Sequence, residues 1–315
     1  MEKIRLGISS CLLGEKVRYD GGHKLDHYLK DTFGQFVAWV PVCPEVESGL
    51  PVPREAMRLT GSPDQPRLVT RKTGIDHTDR LKAWSRERLK GLDREDLCGF
   101  IFKSRSPSSG MRSVKVYDAD GIPHSSGVGI FARAFMARFP FIPVEDEGRL
   151  NDPALRDNFI ERVFVFRRWR NFQKGKTGIQ ELVEFHAAHK LLLLAHSPRH
   201  YTEMGRLVAN SKKLRSETLH AEYFRMLMEG MALLATVRKN TNVLQHIAGY
   251  FKKQLSADER QELVEVIGEY HKGLIPLIVP VVLLRHYVRK YDDPYLKQQH
   301  YLAPHPAELM LRNHV

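Results

Sequence analysis

At 315 residues the chain exceeds the usual single-domain size, so two independent cores are expected. With 42% apolar and 27% charged residues and no low-complexity tract, the composition excludes a largely disordered chain. The 49 Lys and Arg against 37 Asp and Glu leave +12, which makes an anionic partner plausible.

Residues 1–10 lack the apolar core and cleavage site of a secretory signal, and three cysteines are an odd, sparse disulfide set. A reducing cytoplasm is the expected compartment. The longest apolar run, Leu274 to Leu284, is broken by Pro276 and Pro280 and is too short to cross a bilayer, so no membrane association is expected. No obligatory protein partner is evident.

In chain order, Ile4 to Ile8, Val37 to Val42, Arg67 to Thr70, Gly99 to Lys103 and Val114 to Tyr117 are short, apolar and rich in β-branched or aromatic residues, and read as strands. Helix-compatible stretches at His27 to Phe36 and Asp76 to Leu89 lie between them. This alternation predicts an α/β domain with a mainly parallel, Rossmann-like sheet. The polar stretch Glu145 to Pro153 has the composition of a linker, which places one domain at 1–147 and a second at 148–315. Beyond it, apolar residues recur three and four apart, as in Leu219, Tyr223, Met226, Leu227, Leu233 and Leu234, and predict an all-α domain.

The charge excess sits mainly in the second half, where 25 basic minus 17 acidic residues give +8, against 24 minus 20, or +4, in residues 1–150. Between Arg162 and Arg215 there are twelve basic residues and three acids. Arg167, Arg168, Arg170, Lys174 and Lys176, with Trp169 and Phe172 interleaved, are the candidate RNA-binding residues. The second half holds no H-E-x-x-H motif, and His186 with His189 at i, i+3 is a faint hint of a metal pair.

Three loops of the first half concentrate chemistry. Ser9-Ser10-Cys11-Leu12-Leu13-Gly14 follows the first strand, and Val42-Cys43-Pro44-Glu45-Val46-Glu47 follows the second. Lys103-Ser104-Arg105-Ser106-Pro107-Ser108-Ser109-Gly110 follows the strand from Gly99. All three belong at the carboxyl edge of the sheet, where open α/β folds bind ligands. Cys98 precedes its strand and belongs at the opposite edge, about 17 Å away for five residues of strand. Spacing alone names no metal, because free cysteines are usually small buried hydrophobes. Ser125 to Gly129, ahead of an apparent helix at Ile130 to Phe139, offers a weak phosphate cradle.

These loops, with Tyr19-Asp20-Gly21-Gly22, resemble those of the bacterial thiouracil desulfidase family over roughly residues 1–145. The remainder resembles a helical domain found fused to it in enzymes that remove sulfur from 4-thiouridine in transfer RNA. The resemblance implies a 4Fe-4S cluster held by three cysteines with one open iron, and a non-redox exchange of C=S for C=O on a thiolated nucleoside or tRNA. Cys11 and Cys43 match two cluster ligands. The third falls in a Ser-Pro-Ser-Cys-Gly motif that reads Ser106-Pro107-Ser108-Ser109-Gly110 here, so Ser109 stands at the third metal position. The serine is either a replacement that disables an enzyme or the mark of a relative that uses Cys98 or has lost the activity. The resemblance makes Glu45 the general base, with Glu47 as substitute, and Ser106 the second catalytic residue; Ser10, Ser104 and Ser108 are candidate substrate contacts. Arg105 is a candidate ion-pair partner of Glu45. The alternative function is a non-catalytic RNA-binding or nucleotide-sensing protein on the same scaffold.

Overall fold

The computed structural model describes residues 3–309 and 311–314. Strand β1 (Ile4–Ser9) is buried on both faces except at Arg5, which marks it as the interior strand of a covered sheet. It pairs in parallel with β2 (Val37–Val42) on one side and with β5 (Phe100–Phe102) on the other; β5 in turn pairs in parallel with β8 (Val144–Asp146). The strand order is β2-β1-β5-β8, and all four run the same way. Gly7 is required by the packing, because a Cβ there would lie 2.1 Å from the Phe100 ring. Phe100 stacks on Phe102 at 4.3 Å, and both meet Phe131 and Phe135 of helix α3 (Ile130–Arg138).

A short helix α1 (Pro44–Glu47) follows β2, and α2 (Thr78–Asp93) packs on α3. The strands at Arg67–Thr70 and Val114–Tyr117 do not join the parallel sheet. As β4 and β6 they belong, with β3 (Met57–Thr60) and β7 (Pro123–Gly127), to a second, mixed sheet of order β4-β3-β6-β7. The stretch expected to be a helix over His27 to Phe36 is a π turn at Tyr28–Thr32 followed by a 3-10 turn at Phe33–Gln35. Gly34 and the aromatic residues there favour a tight, irregular turn over a regular helix.

The chain divides into two compact units, 1–152 and 153–315. The stretch expected to be a linker contains β8, whose Phe102↔Asp146 pairing ties it to the first unit, and a 3-10 turn at Arg149–Asn151. Its Glu145, Asp146, Glu147 and Arg149 side chains take part in the site described below.

The second unit is all helical: α4 (Pro153–Lys174), α5 (Ile179–His196), α6 (Pro198–Ala209), α7 (Ser216–Met231), α8 (Val237–Tyr250), α9 (Ala257–His271), α10 (Ile278–Lys290) and the single turn α11 (Pro294–Lys297). Helix α5 buries every residue from Leu191 to His196, as a central helix must, and packs on α6, α7 and α8. Leu233 and Leu234, read as part of the apolar stripe of α7, lie past its end and are exposed. A polar cluster is also buried here. Glu161 accepts from Arg312 Nη2 at 2.6 Å, and its other oxygen is 2.8 Å from His196 Nε2. Burial opposes its ionisation, but the Arg312 guanidinium and the His196 bond prevail and hold the Glu161 carboxyl far below its usual range. No helix among the described residues is long and apolar enough to cross a membrane.

Candidate active site

The parallel register decides which loops meet. Ser9 pairs with Val42 and Phe102 with Asp146, while Ile8 pairs with Ile101, so the carboxyl ends of all four strands lie at one level. Ser9 Oγ accepts from Lys103 N at 2.9 Å and fixes the end of β5 against β1. Above this edge lies a cavity of about 810 Å³ whose walls include Ser10, Cys11, Cys43, Glu45, Ser104, Ser106 and Ser109. Cys98 is not among its lining; its amide donates to Arg5 O at the far end of β1, and its thiol lies 3.7 Å from Asp96 O.

The third loop is held in place by glycines and by a helix end. A Cβ on Gly110 would lie 2.7 Å from Ser106 O, and one on Gly129 would lie 2.5 Å from the Ser108 carbonyl. Ser108 O accepts from Phe131 N at 2.9 Å and from Ala132 N at 3.3 Å, and Pro107 O from Ile130 N at 3.3 Å. These carbonyls occupy the first amides of α3. The Ser125–Gly129 phosphate cradle is therefore overturned: residues 125–127 are strand, and the helix start behind them holds the Ser106–Ser109 loop instead of an anion.

Glu45 is aimed by that loop. Its Oε1 accepts from Ser108 Oγ at 2.6 Å, and Ser108 Oγ lies 3.0 Å from Ser106 Oγ and 3.4 Å from Ser109 Oγ. Its Oε2 lies 3.7 Å from Cys43 Sγ and 3.9 Å from Arg54 Nη2. Arg54, not Arg105, is thus the cation beside Glu45; Arg105 adopts φ +57° and has no ion pair to it. Glu47 turns the other way, accepting from Cys43 N at 2.8 Å and pairing with Arg88 at 3.0 Å. That geometry makes it a cap of α1 and removes it as a substitute base.

Two expected substrate contacts are corrected. Ser108 is wholly buried and absent from the cavity wall, because its hydroxyl is spent on Glu45. Ser104 lines the cavity, but its Oγ donates to Glu147 Oε1 at 2.7 Å and receives from Lys103 Nζ at 3.0 Å. Lys103 Nζ and Glu147 form an ion pair beside it. Ser10 is buried at the cavity wall.

Cys11 and Cys43 are each 8% exposed. Burial pushes the Cys11 thiol up to about 11, with Lys103 and Arg18 pulling it part of the way back. Burial, with the Glu45 carboxylate second, pushes Cys43 up to about 12. A cationic centre would reverse that preference, since a bound metal deprotonates a coordinating thiol outright. Eight basic side chains line the cavity against two acids, Glu45 and Asp146, so it favours negative charge.

Sequence reasoning missed Arg54, Asp146 and Arg149. No motif announces the first, and the others sat in a stretch whose polarity resembled a linker. Asp146 and Arg149 both line the cavity, and Arg149 Nε donates to Glu145 Oε1 at 2.7 Å.

In the helical unit, Arg168 is corrected. It turns inward to donate to Pro304 O, and burial lowers its guanidinium to about 10. Trp169 is a core residue stacked on Tyr223 at 5.4 Å and Phe224 at 5.3 Å. Arg170 lies over the Phe166 ring, Arg167 is half-buried, and Lys174 and Lys176 are exposed. His186 and His189 are not a metal pair: His186 Nδ1 meets Tyr223 OH at 3.2 Å, and His189 Nδ1 donates to Phe185 O at 2.7 Å. Among the described residues, one group of three acid or histidine donors clusters closely enough for a metal, Asp157, Glu161 and His305. Glu161 there is already committed to Arg312 and His196.

The fold and the site define the class: an α/β domain whose parallel sheet carries two buried thiols and a carboxylate in a basic cavity over its carboxyl edge. Residues 6–147 match the 2-thiouracil desulfurase family, and residues 190–306 match a family described as protein of unknown function, DUF1722. The chain is 29% identical over 165 residues to the uncharacterized protein YbgA of Escherichia coli strain K12, which covers 52% of this chain and 98% of that protein. It is also 29% identical to the solved 4Fe-4S-dependent thiouracil desulfidase TudS, over 50% of this chain and 97% of that one, with a TM-score of 0.39. The likeness to the 2-thiouracil desulfurase family lies within the first unit, and the likeness to the family of unknown function lies within the second.

The 4Fe-4S cluster that the family resemblance implies asks for thiolates. Here the donor set at the cavity is two thiols and the hydroxyl of Ser109, which is buried 3.4 Å from Ser108 Oγ. A hydroxyl is harder and far less acidic than a thiol, and Cys98 is at the wrong end of β5 to replace it. The residues present do not fit a three-thiolate cluster.

Proposed function

We propose that the first unit is the desulfidase domain of a protein that converts 4-thiouridine, in tRNA or as a nucleoside, to uridine and sulfide, and that Ser109 holds this chain one thiolate short of turnover. The observation that carries the reading is the convergence of Cys11, Cys43, Ser109, Glu45 and Ser106 on one cavity. The reaction is a hydrolysis: the oxygen of water bonds to the ring carbon, the C–S bond breaks, and the two protons of water leave with sulfur. Glu45, aimed by Ser108, accepts the proton of the attacking water. Ser106, linked to Glu45 through Ser108, holds the ring or passes the proton onward. The basic wall attracts the phosphate of a nucleotide.

The helical unit is the RNA-holding part in this reading, supported by the +8 charge of residues 151–315 and by exposed Lys174 and Lys176 on and just past the end of α4. A thiolated base in RNA must leave its stack to enter the cavity, and contacts to the backbone supply part of that energy. The missing thiolate specifically favours the second reading for this chain as it stands, a non-catalytic protein that binds thiolated nucleotide or RNA.

Anaerobic iron–sulfide reconstitution of Ser109→Cys followed by assay on 4-thiouridine tests the proposal. A brown protein that releases sulfide and uridine is expected. A colourless Ser109→Cys protein with no sulfide release would leave only the binding reading.

A further inference from the structure

Asp146 is the one cavity acid besides Glu45, and nothing in the desulfidase reading uses it. It ends β8 in register with Phe102, at the level of Ser9 and Val42, and β8 lies two strand spacings, about 10 Å, from β1. Its carboxylate thus belongs to the same sheet edge as the thiol loops. Its Oδ1 accepts from Arg149 N at 3.0 Å, which fixes the side chain, while no hydrogen bond or ion pair reaches Oδ2 among the described residues. The residue is buried apart from the cavity, and burial, with Glu145 and Glu147 nearby, raises its carboxyl above the usual range. Oδ2 is not sealed from solvent, so a bound donor would replace water on an acceptor that the protein itself leaves free. Beside it, Arg149 donates through Nε to Glu145 Oε1 and makes no other side-chain hydrogen bond among the described residues, which leaves its terminal guanidinium nitrogens for the cavity. An acceptor next to a donor is the complement of a uracil edge, in which the N3–H donor adjoins the C2 carbonyl.

We propose that Asp146 and Arg149 read the pyrimidine edge of the substrate, Asp146 Oδ2 accepting the ring N3–H and Arg149 donating to the C2 carbonyl. The proposal rests on the desulfidase reading and adds the specificity for uracil-type over cytosine-type rings, whose N3 is an acceptor. Sites that bond a substrate N–H reject analogues lacking it, because the buried acceptor is then left unpaired.

Binding of 4-thiouridine, N3-methyl-4-thiouridine and 2-thiocytidine to the full chain, as it stands and as Asp146→Asn, tests this without turnover. The unchanged chain is expected to bind 4-thiouridine at least about tenfold tighter than either analogue. Asp146→Asn keeps an oxygen for Arg149 N and turns an amide donor to the ring, so 4-thiouridine should weaken while 2-thiocytidine tightens; a merely structural role would weaken all three alike. Equal affinity for 4-thiouridine and its N3-methyl form, unmoved by Asp146→Asn, overturns the assignment and leaves the desulfidase reading intact. Failure of every thiopyrimidine to bind, with no sulfide released by Ser109→Cys, overturns both.

Discussion

Each half of the molecule buries a polar cluster, and the two are finished to different degrees. In the helical unit, Glu161 meets Arg312 and His196 within 2.8 Å, leaving the carboxylate no oxygen unmatched. In the α/β unit, the thiols of Cys11 and Cys43 are forced into their neutral forms by burial, and Asp146 keeps one oxygen open to a cavity. A closed cluster stabilises a fold, whereas an open one at the carboxyl edge of a parallel sheet awaits a ligand. The same chemistry-bearing residue types thus have opposite meanings in the two halves.

Substitutions should separate them. The largest effect is expected at Glu45: in a Ser109→Cys background, Glu45→Gln should lower the rate of uridine formation by about 10²- to 10⁴-fold while leaving the melting temperature of the chain nearly unchanged. Loss of folding in place of rate would make Glu45 a structural acid and erase the contrast.

Glu161→Ala should act the opposite way, destabilising the helical unit by about 3–5 kcal/mol through the buried, unpaired Arg312 charge, as read by denaturant unfolding. The contrast also has a pH signature. The Glu161 carboxyl titrates far below its unfolded value of 4.5, so the stability it adds is complete above that pH and is lost as the pH falls beneath it. Burial, with Lys190 beside His186 and Arg168 beside His300, lowers both imidazoles from 6.5 to about 4. The unfolded chain therefore takes up their protons first, and stability should already decline as the pH drops from 6.5 toward 4. Glu161→Ala should remove the lower part of this acid loss and keep the upper part; an unfolding profile flat across both windows would contradict the assignment.

The smallest effect is expected at the exposed lysines. Replacing Lys174 and Lys176 with Ala should weaken tRNA binding a fewfold and reduce its salt dependence by about two phosphate contacts, measured by binding titrations across ionic strength. Unchanged affinity and slope would move the RNA contact off this end of α4.

Much of the site was legible because it follows from strand direction. Cys11, Cys43 and the Ser106–Ser109 loop each come directly after a strand of one parallel sheet, and direction alone puts them at one edge and Cys98 at the other. What could not be read was pairing between distant segments. Polarity made Glu145–Pro153 look like a linker, although its first two residues end β8, the fourth strand, and Glu147 reaches Lys103 and Ser104. The strands at Arg67 and Val114 carry the same β-branched pattern as the parallel ones, and local pattern holds no record of which sheet a strand joins. Arg168 looked like its neighbours in a basic run, yet the rotation of α4 turns it toward Pro304. Charge counts have no phase.

The most direct measurement is the iron and acid-labile sulfide content of the chain after anaerobic reconstitution, with Ser109 and with Ser109→Cys, each compared with its Cys43→Ser form. The account predicts little iron with Ser109, about four irons per chain with Ser109→Cys, and loss of that gain when Cys43 is removed. Equal iron in the Ser109 and Ser109→Cys chains, or retention without Cys43, would contradict it, because the three positions would then not share one cage.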